Sequence, residues 1–199
     1  MPKSIKLAII GTAGRREDAK RLDRGIYANM ILAAQRVINV EGPTHLVSGG
    51  AAWADHIAVN RFLNDCVQNL TLHLPAIFDA LKGQYEDDGT VNYKTNPGGT
   101  ANYYHRKFSD KCEIDSLWEV GEAWAQKAKI QITPGFLERN SKVAEEADIL
   151  LAMTFGSGPK VKDGGTADTV RKFLSSGKKK VYHFDLNNLS LHDNGRADE

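Results

Sequence analysis

Three glycine-rich turns, each between an apolar run and a segment of helical periodicity, constrain the fold of this chain more than any other feature. The apolar runs have the length and composition of buried parallel strands. In an open α/β sheet, turns from strands into helices lie at the carboxyl edge, where helix N-termini present unpaired N–H groups. The turns are Gly11–Arg15, Ser48–Ala51 and Asp163–Thr166. We therefore expect all three at one rim, around a pocket for a phosphorylated ligand.

The order of apolar runs and amphipathic segments predicts an α/β fold that is Rossmann-like, with a doubly wound, mostly parallel sheet and helices on both faces. The predicted strands are 6–11, 45–48, 70–74, 148–155 and 180–184. The predicted helices are 27–39, 54–64, 102–109, 114–128, 136–147 and 167–176. We expect a single domain over residues 1–186, with a long insertion at about 76–129 after the third strand, and a loose polar tail over 187–199.

The charge balance disfavours several classes of partner. The chain has 26 Lys and Arg against 25 Asp and Glu, a net charge of +1, so no overall field attracts nucleic acid or an acidic membrane surface. No apolar run approaches the roughly 18 residues that a membrane span requires. We therefore expect a small-molecule partner, with nucleic acid disfavoured and no membrane partner.

The cysteines and histidines give no sign of a disulfide or a metal site. Cys66 and Cys112 lie far apart without Cys-x-x-Cys spacing, which suits a reducing, cytoplasmic location. The histidines lack the spacing of zinc-binding motifs. The sequence thus leads us to expect no metal and no cofactor.

The first turn combines backbone freedom with groups that suit a phosphate. Gly11 and Gly14 allow a sharp bend and a close approach to a ligand. Thr12 offers a hydroxyl, and Arg15 offers the forked guanidinium that matches phosphate oxygens. The alternative is a tight turn with Arg15 in solvent.

The second turn predicts a further group of anion-binding N–H donors. After Ser48, the paired Gly49 and Gly50 expose successive N–H groups at the start of a helix. Asp55, one turn into that helix, is interpreted either as an acceptor for ribose hydroxyls or as a complement to the helix dipole. Trp53 offers a stacking face for a base, or packs in the core.

Polar residues also lie on the helix before the buried strand predicted at 148–155. Arg139 and Asn140 lie on the helix before it, where packing does not require them, which favours a site over a surface ion pair with Glu138 or Glu145.

The third turn then supplies a glycine-rich helix start. Gly164, Gly165 and Thr166 have the composition of a phosphate cradle.

The insertion carries aromatic residues among mixed charges. Between residues 83 and 109 these are Tyr85, Tyr93, Tyr103, Tyr104 and Phe108. They suit a lid that stacks on a nucleobase and excludes water, and equally a subunit contact or a self-packed loop.

The order of these motifs resembles the SLOG superfamily of Rossmann-like domains, and most closely its YspA and YpsA-like branch. The motifs are Gly11-Thr12-x-Gly-Arg15, Ser48-Gly49-Gly50-Ala51-x-x-Ala54-Asp55, Arg139-Asn140-x-x-Val143 and Gly164-Gly165-Thr166. The superfamily also includes the lonely-guy phosphoribohydrolases, the molybdenum-cofactor carrier proteins and the DNA-processing protein DprA. The resemblance covers residues 6–184 apart from 76–129.

The resemblance implies a nucleotide or a nucleotide-derived phosphorylated ligand, bound by a sensing, sequestering or carrier module. The alternative it implies is an enzyme that cleaves or exchanges the N-glycosidic bond of a nucleoside monophosphate, as a lonely-guy-like hydrolase. By analogy with relatives of this fold, we also expect a homodimer or a larger homo-oligomer.

The sequence departs from the lonely-guy motif Pro-Gly-Gly-x-Gly-Thr-x-x-Glu. Aligning the motif on the third turn places Thr169 at the position of the catalytic glutamate, and Asp168 would point about 100° away around the helix axis. The arginine of the enzymes' Met-x-x-Arg pattern matches Arg139. The enzyme alternative therefore takes Arg139 as catalytic, with Asp55 or Asp168 as the carboxylate, whereas the missing glutamate favours binding alone.

Overall fold

The computed structural model describes residues 4–178 and 180–195. The strands of this part of the chain are β1 (Lys6–Gly11), β2 (His45–Ser48), β3 (Asn69–Leu74), β4 (Phe78–Asp79), β5 (Gln84–Tyr85), β6 (Lys129–Ile132), β7 (Ile149–Thr154), β8 (Val181–Asp185) and β9 (Ser190–Asp193). The helices are α1 (Glu17–Arg21), α2 (Arg24–Glu41), α3 (His56–Leu63), α4 (Pro97–Cys112), α5 (Ser116–Ala125), α6 (Phe136–Glu146) and α7 (Gly165–Ser175).

Seven of the described strands form one sheet in the order β6-β3-β2-β1-β7-β8-β9. Neighbouring strands are parallel, except that β9 runs antiparallel to β8. Because β1 is flanked by β2 on one side and β7 on the other, the chain winds away from it in both directions. A crevice is expected at the carboxyl end of the strand where the order reverses. The Rossmann-like, mostly parallel fold is confirmed.

Helices cover both faces of the sheet. Side chains of β1, β3 and β7 on one face pack against α2, α3, α4 and α5 in the larger core cluster. On the opposite face, a smaller cluster includes Val143 of α6 and Phe173 of α7. Successive residues of a strand serve opposite faces, so Ile9 belongs to the first cluster and Ile10 to the second. Burial on both faces explains the continuous apolar runs of β1, residues 7–10, and β7, residues 149–153.

The insertion after β3 is largely ordered into helices that join the core. It contains the antiparallel pair β4 and β5 and the helices α4 and α5. Tyr85 and Phe108 are fully buried, whereas Tyr93 and Tyr103 are exposed. Of the two interpretations of this aromatic segment, self-packing therefore accounts for Tyr85 and Phe108.

Two strands of the seven-stranded sheet, β6 and β9, were not anticipated by the sequence patterns, nor was the separate short pair of β4 and β5. β6, Lys-Ile-Gln-Ile, alternates polar and apolar residues, but it is only four residues long and partly exposed at the sheet edge, so the pattern is too short to indicate a strand. The expected loose tail over 187–199 is corrected, because residues 190–193 form β9. This strand pairs with β8 through its backbone, Asp185 opposite Ser190, and so needs few apolar side chains. Residues 196–199 of the expected tail lie outside the described residues.

Among the described helices, none has the length and apolar character needed to cross a membrane.

Candidate functional site

Asp55 joins the first two glycine turns at the carboxyl edge of the sheet. It directly precedes α3, is 4% exposed, and accepts a hydrogen bond at Oδ1 from the N–H of Gly11 at 3.2 Å. The N–H groups of Gly49 and Ala51 also donate to this carboxylate. An internal carboxylate therefore occupies backbone N–H groups that the sequence predicts would bind a ligand anion.

Arg139, on α6, connects the second turn with the third. Its Nη1 donates to the Gly49 carbonyl at 2.9 Å, and its Nη2 donates to Asn140 Oδ1 at 2.9 Å. The Asn140 amide donates to the Gly165 carbonyl at 3.3 Å. A Cβ at position 49 would lie 2.6 Å from Arg139 Cζ, so this approach requires glycine. The three turns thus lie together at one rim.

Asp55 and Arg139 compensate each other's burial. Asp55 Oδ2 lies 3.9 Å from Arg139 Nη1. Burial raises the pKa of Asp55, and Arg139 and the backbone N–H donors oppose that rise. Burial lowers the pKa of Arg139, and Asp55 opposes that fall. Because the two charges balance, the pair adds little net charge to the rim.

The hydroxyls of Thr12 and Ser48 are buried and bonded within the protein. Thr12 Oγ1 donates to Asp18 at 2.9 Å and accepts from the N–H of Gly14 at 3.2 Å. Ser48 Oγ donates to the backbone carbonyl of Asp55 at 2.8 Å. Both side chains shape their turns, which corrects the expectation that they contact a ligand.

The indole of Trp53 lies in the core rather than at the rim. It is 3% exposed and edge-on to Phe108, with ring centroids 4.9 Å apart. A Cβ at Gly14 would lie 2.6 Å from Trp53 Nε1, so the first turn packs directly on this ring. The structure therefore agrees with the alternative that Trp53 packs in the core, and it corrects the prediction that the indole stacks on a base.

A cavity opens beside the first two turns. Its lining includes Arg15, Arg139, Tyr104, Phe136 and residues 50–52. Its volume is about 10 Å³, space for about one water molecule. Arg15 Cζ lies 5.4 Å from the ring centroid of Tyr104 and 5.1 Å from that of Phe136. Arg139 Cζ lies 5.6 Å from the Phe136 centroid, so two guanidinium groups contact one ring.

Arg15 differs from Arg139 in its charge environment. Arg15 is exposed, and it forms no ion pair with a carboxylate in residues 4–178 and 180–195. Of the three predicted catalytic residues, Arg139 lines the cavity, whereas Asp55 and Asp168 do not. Asp168 instead pairs with Lys172 at 2.7 Å, one turn along α7. The positive charge available to a ligand at the cavity is therefore that of Arg15.

The Gly50 carbonyl is fixed by two donors from the insertion. Tyr85 donates its hydroxyl hydrogen at 3.0 Å, and His105 Nε2 lies 3.0 Å away. Because a carbonyl only accepts, His105 carries its proton on Nε2, and its Nδ1 accepts from Ser116 Oγ at 2.9 Å. Burial, with a smaller effect of nearby His56, lowers the pKa of His105 to about 3. The insertion thus holds the cavity wall through a neutral imidazole.

The third turn presents an uncapped helix start. Gly164 precedes α7 with φ of 132°, and within residues 4–178 and 180–195 no side chain caps the first N–H groups of this helix. Gly164 and Gly165 are exposed, and Thr166 is half-buried. These N–H groups and the positive end of the helix dipole face outward at the rim.

The two aromatic residues of the cavity, Tyr104 and Phe136, were missing from the predicted site. Phe136 is three residues before Arg139, so both lie on one face of α6, which is a spacing that the sequence shows. Tyr104 was visible as one of the aromatic residues of the insertion, but nothing in the pattern separates it from buried Phe108. No group of three or more His, Cys, Asp or Glu side chains in the described residues is placed to hold a metal ion.

The fold and the rim define a Rossmann-like α/β protein with an arginine-lined cavity at the carboxyl edge of its sheet. The chain is 33% identical over 195 residues to the uncharacterized protein R261 of Acanthamoeba polyphaga mimivirus, in a match that covers 94% of this chain and 98% of R261. The chain therefore belongs to the family of R261. No family model matches it.

Among solved structures, the chain is similar to the X-ray structure of TM1055, a Northeast Structural Genomics Consortium target. The two share 14% sequence identity with a TM-score of 0.44, over 87% of this chain and 71% of TM1055. A likeness of this degree adds nothing to the topology described above.

Proposed function

We propose that this protein binds a nucleotide or a nucleotide-derived phosphorylated ligand at the carboxyl edge of its sheet, as a sensing, sequestering or carrier module. The observation that carries the proposal is the guanidinium of Arg15 at the cavity. It has no acidic partner in the described part of the chain, although Arg139 beside it is balanced by Asp55. An unpaired guanidinium at a cavity is a strong donor for a phosphate.

The sequence predicts that N–H groups of all three glycine turns bind the phosphate, whereas we assign the phosphate a different set of donors. N–H groups of the first two turns are held by Asp55, so they are not offered to an external anion. Arg15 and the uncapped N–H groups of α7 remain, and Asn140 links α7 to Arg139. A phosphate between them would meet one full positive charge and a helix dipole.

The resemblance of the four motifs to the SLOG superfamily supports the same ligand class. Of the members named above, the lonely-guy phosphoribohydrolases and the molybdenum-cofactor carrier proteins act on or carry nucleotide-like ligands, and the matching turns lie at the rim of this sheet. This support is by analogy of motifs, whereas the charge argument at Arg15 does not depend on it.

The enzyme alternative, cleavage or exchange of an N-glycosidic bond, has less support from the geometry. Such chemistry needs a carboxylate or another acid–base group at the ligand. Asp55 is bound by backbone N–H groups and does not line the cavity, and Asp168 pairs with Lys172. We therefore favour binding without chemistry.

Native mass spectrometry of the purified protein, followed by calorimetric titration with ribose 5-phosphate and nucleoside 5′-monophosphates, tests the proposal. Arg15→Ala should weaken binding by on the order of 10- to 100-fold, because it removes a charge-assisted phosphate contact. Arg36→Ala, on the exposed side of α2, is the matched control and should bind as the wild type does. The absence of any bound or titratable phosphorylated ligand would refute the proposal. A co-purified nucleotide that is consumed on incubation would revive the enzyme alternative.

A further inference from the structure

We propose that Tyr104 and Phe136 form a clamp for the planar base of the ligand, and that Arg15 fills this clamp when the ligand is absent. The proposal rests on the proposed function and deepens it, since it names the part of the ligand that the aromatic side of the cavity recognises. It makes Tyr104 and Phe136 determinants of specificity for a nucleoside over a simple sugar phosphate.

The position of Arg15 is the first step of the argument. Its guanidinium carbon lies within cation–π distance of both rings, 5.4 Å from the Tyr104 centroid and 5.1 Å from the Phe136 centroid. A guanidinium is a planar group that stacks on aromatic faces, as a nucleobase does. Arg15 therefore occupies a place that accepts a flat, delocalised group.

The two rings are anchored, whereas Arg15 is not. Phe136 begins α6 and also contacts the guanidinium of Arg139, which is held by the Gly49 carbonyl and Asn140. Tyr104 belongs to α4 and packs against the larger core cluster. Arg15 extends from the first turn with no ion pair to a described residue. The side chain that can leave at the lowest cost is the arginine.

The size and chemistry of the cavity agree with this exchange. At about 10 Å³ the cavity has no room for a base while Arg15 is in place. Apart from Thr100, the rest of its lining consists of glycine and apolar residues, including Ala13, Pro75 and Ala101, which suits the face and edge of a ring. If Arg15 turns outward, the space between the rings opens and its guanidinium becomes free for the phosphate of the same ligand.

The test separates recognition of the base from recognition of the phosphate. The ligands are the four ribonucleoside 5′-monophosphates, the corresponding nucleosides and ribose 5-phosphate, titrated against wild type and variants. Tyr104→Leu and Phe136→Leu keep apolar bulk but remove the stacking face. They should weaken the best monophosphate and its nucleoside roughly tenfold or more and leave ribose 5-phosphate unchanged. Tyr93→Leu, at an exposed position of the insertion that does not line the cavity, is the matched control and should change none of the three.

Arg15→Ala provides the reciprocal variant. It should weaken the monophosphate and ribose 5-phosphate, yet leave nucleoside binding unchanged or stronger because the clamp is then empty. The clamp is refuted if the monophosphates bind no better than ribose 5-phosphate, or if Tyr104→Leu and Phe136→Leu leave monophosphate binding intact. Either result leaves the proposed phosphate site standing, provided that ribose 5-phosphate binds. If none of the ligands binds, the proposed function fails together with the clamp.

Discussion

At the scale of single residues, the rim of the sheet is organised by a charge that belongs to the protein. Asp55 accepts from N–H groups of two glycine turns and faces Arg139, so it binds those turns together from the inside. The missing side chain at Gly49 makes room for the Arg139 guanidinium rather than for a ligand. The same residue types that predict an anion site therefore also build the wall of that site.

Removal of the Asp55 carboxylate should destabilise the fold strongly. Asp55→Ala leaves the buried Arg139 charge without its partner and several backbone N–H groups without their acceptor, a loss on the order of 3–5 kcal/mol. Glu17→Ala is the matched control, because Glu17 forms only an exposed pair with Lys20 and should cost at most about 1 kcal/mol. Urea unfolding monitored by circular dichroism measures both variants. Similar losses in the two would show that the internal pair is not a structural centre.

His105 should give the stability a specific dependence on pH. Burial keeps its folded-state pKa at about 3, well below the ordinary value of 6.5 at which the unfolded chain takes up the proton. Because the unfolded state binds this proton first, the stability that His105 contributes is lost as pH falls from about 6.5 towards 3. The loss approaches about 1.4 kcal/mol per pH unit at 25 °C.

The variant His105→Gln, which retains an N–H donor for the Gly50 carbonyl, isolates this contribution. Its free energy of unfolding should fall less steeply than that of the wild type between pH 6.5 and 5. His192→Gln, on the edge strand β9, serves as the control histidine. Parallel slopes for wild type and His105→Gln would contradict the assignment of a neutral buried imidazole.

At the scale of elements, the insertion after β3 supports the site from behind. β5 and α4 contribute Tyr85 and His105, which together hold the Gly50 carbonyl, and α4 contributes Tyr104 to the cavity. From the sequence, the insertion is predicted as a long stretch without periodicity followed by two helices, at 102–109 and 114–128, which correspond to α4 and α5. Its order depends on distant contacts, such as the amide of Asn102 paired with the backbone of Tyr85, which no local pattern encodes.

The Tyr85 hydroxyl should be worth about 1 kcal/mol of stability, the typical net value of a buried hydrogen bond. Tyr85→Phe removes one of the two donors to Gly50 without changing the buried ring. Tyr93→Phe, at an exposed position of the same insertion, should leave the thermal midpoint unchanged. If both variants melt as the wild type does, the insertion does not fix the turn in the way described.

A Cβ at position 49 should disturb the site more than a Cβ at Gly121, which lies away from the cavity. Gly49→Ala would push against the Arg139 guanidinium at 2.6 Å and should both lower stability and weaken phosphate-ligand binding. Gly121→Ala, in α5, meets its nearest neighbour Phe78 at an ordinary 3.8 Å and gains helix propensity. Thermal melts and calorimetry on the two variants compare these effects. Wild-type binding by Gly49→Ala would mean that Arg139 can be displaced without consequence.

At the scale of the whole molecule, the sequence predicted the topology better than the details of the site. The continuous apolar runs of β1 and β7 reveal strands buried on both faces, and the glycine turns mark where they lead into helices. The edge strands β6 and β9 were not predicted. Both are short and partly exposed, and they join the sheet through backbone hydrogen bonds, so their side chains need not form an apolar run.

The site itself was predictable in part. Its location at the rim and the presence of Arg15 and Arg139 followed from spacing. The internal role of Asp55 and the burial of Trp53 did not, because a carboxylate or an indole near a turn has the same sequence signature whether it faces a ligand or the core. The match to R261 spans nearly all of both chains, so we expect the viral relative to share the whole fold.

A crystal structure of the protein with a bound ribonucleoside 5′-monophosphate tests phosphate binding at Arg15 most directly. We predict phosphate oxygens within hydrogen-bond distance of the Arg15 guanidinium and beside the first N–H groups of α7, with the base between Tyr104 and Phe136. A ligand bound at another surface, with Arg15 still between the two rings, would contradict the assignment of this rim as the binding site.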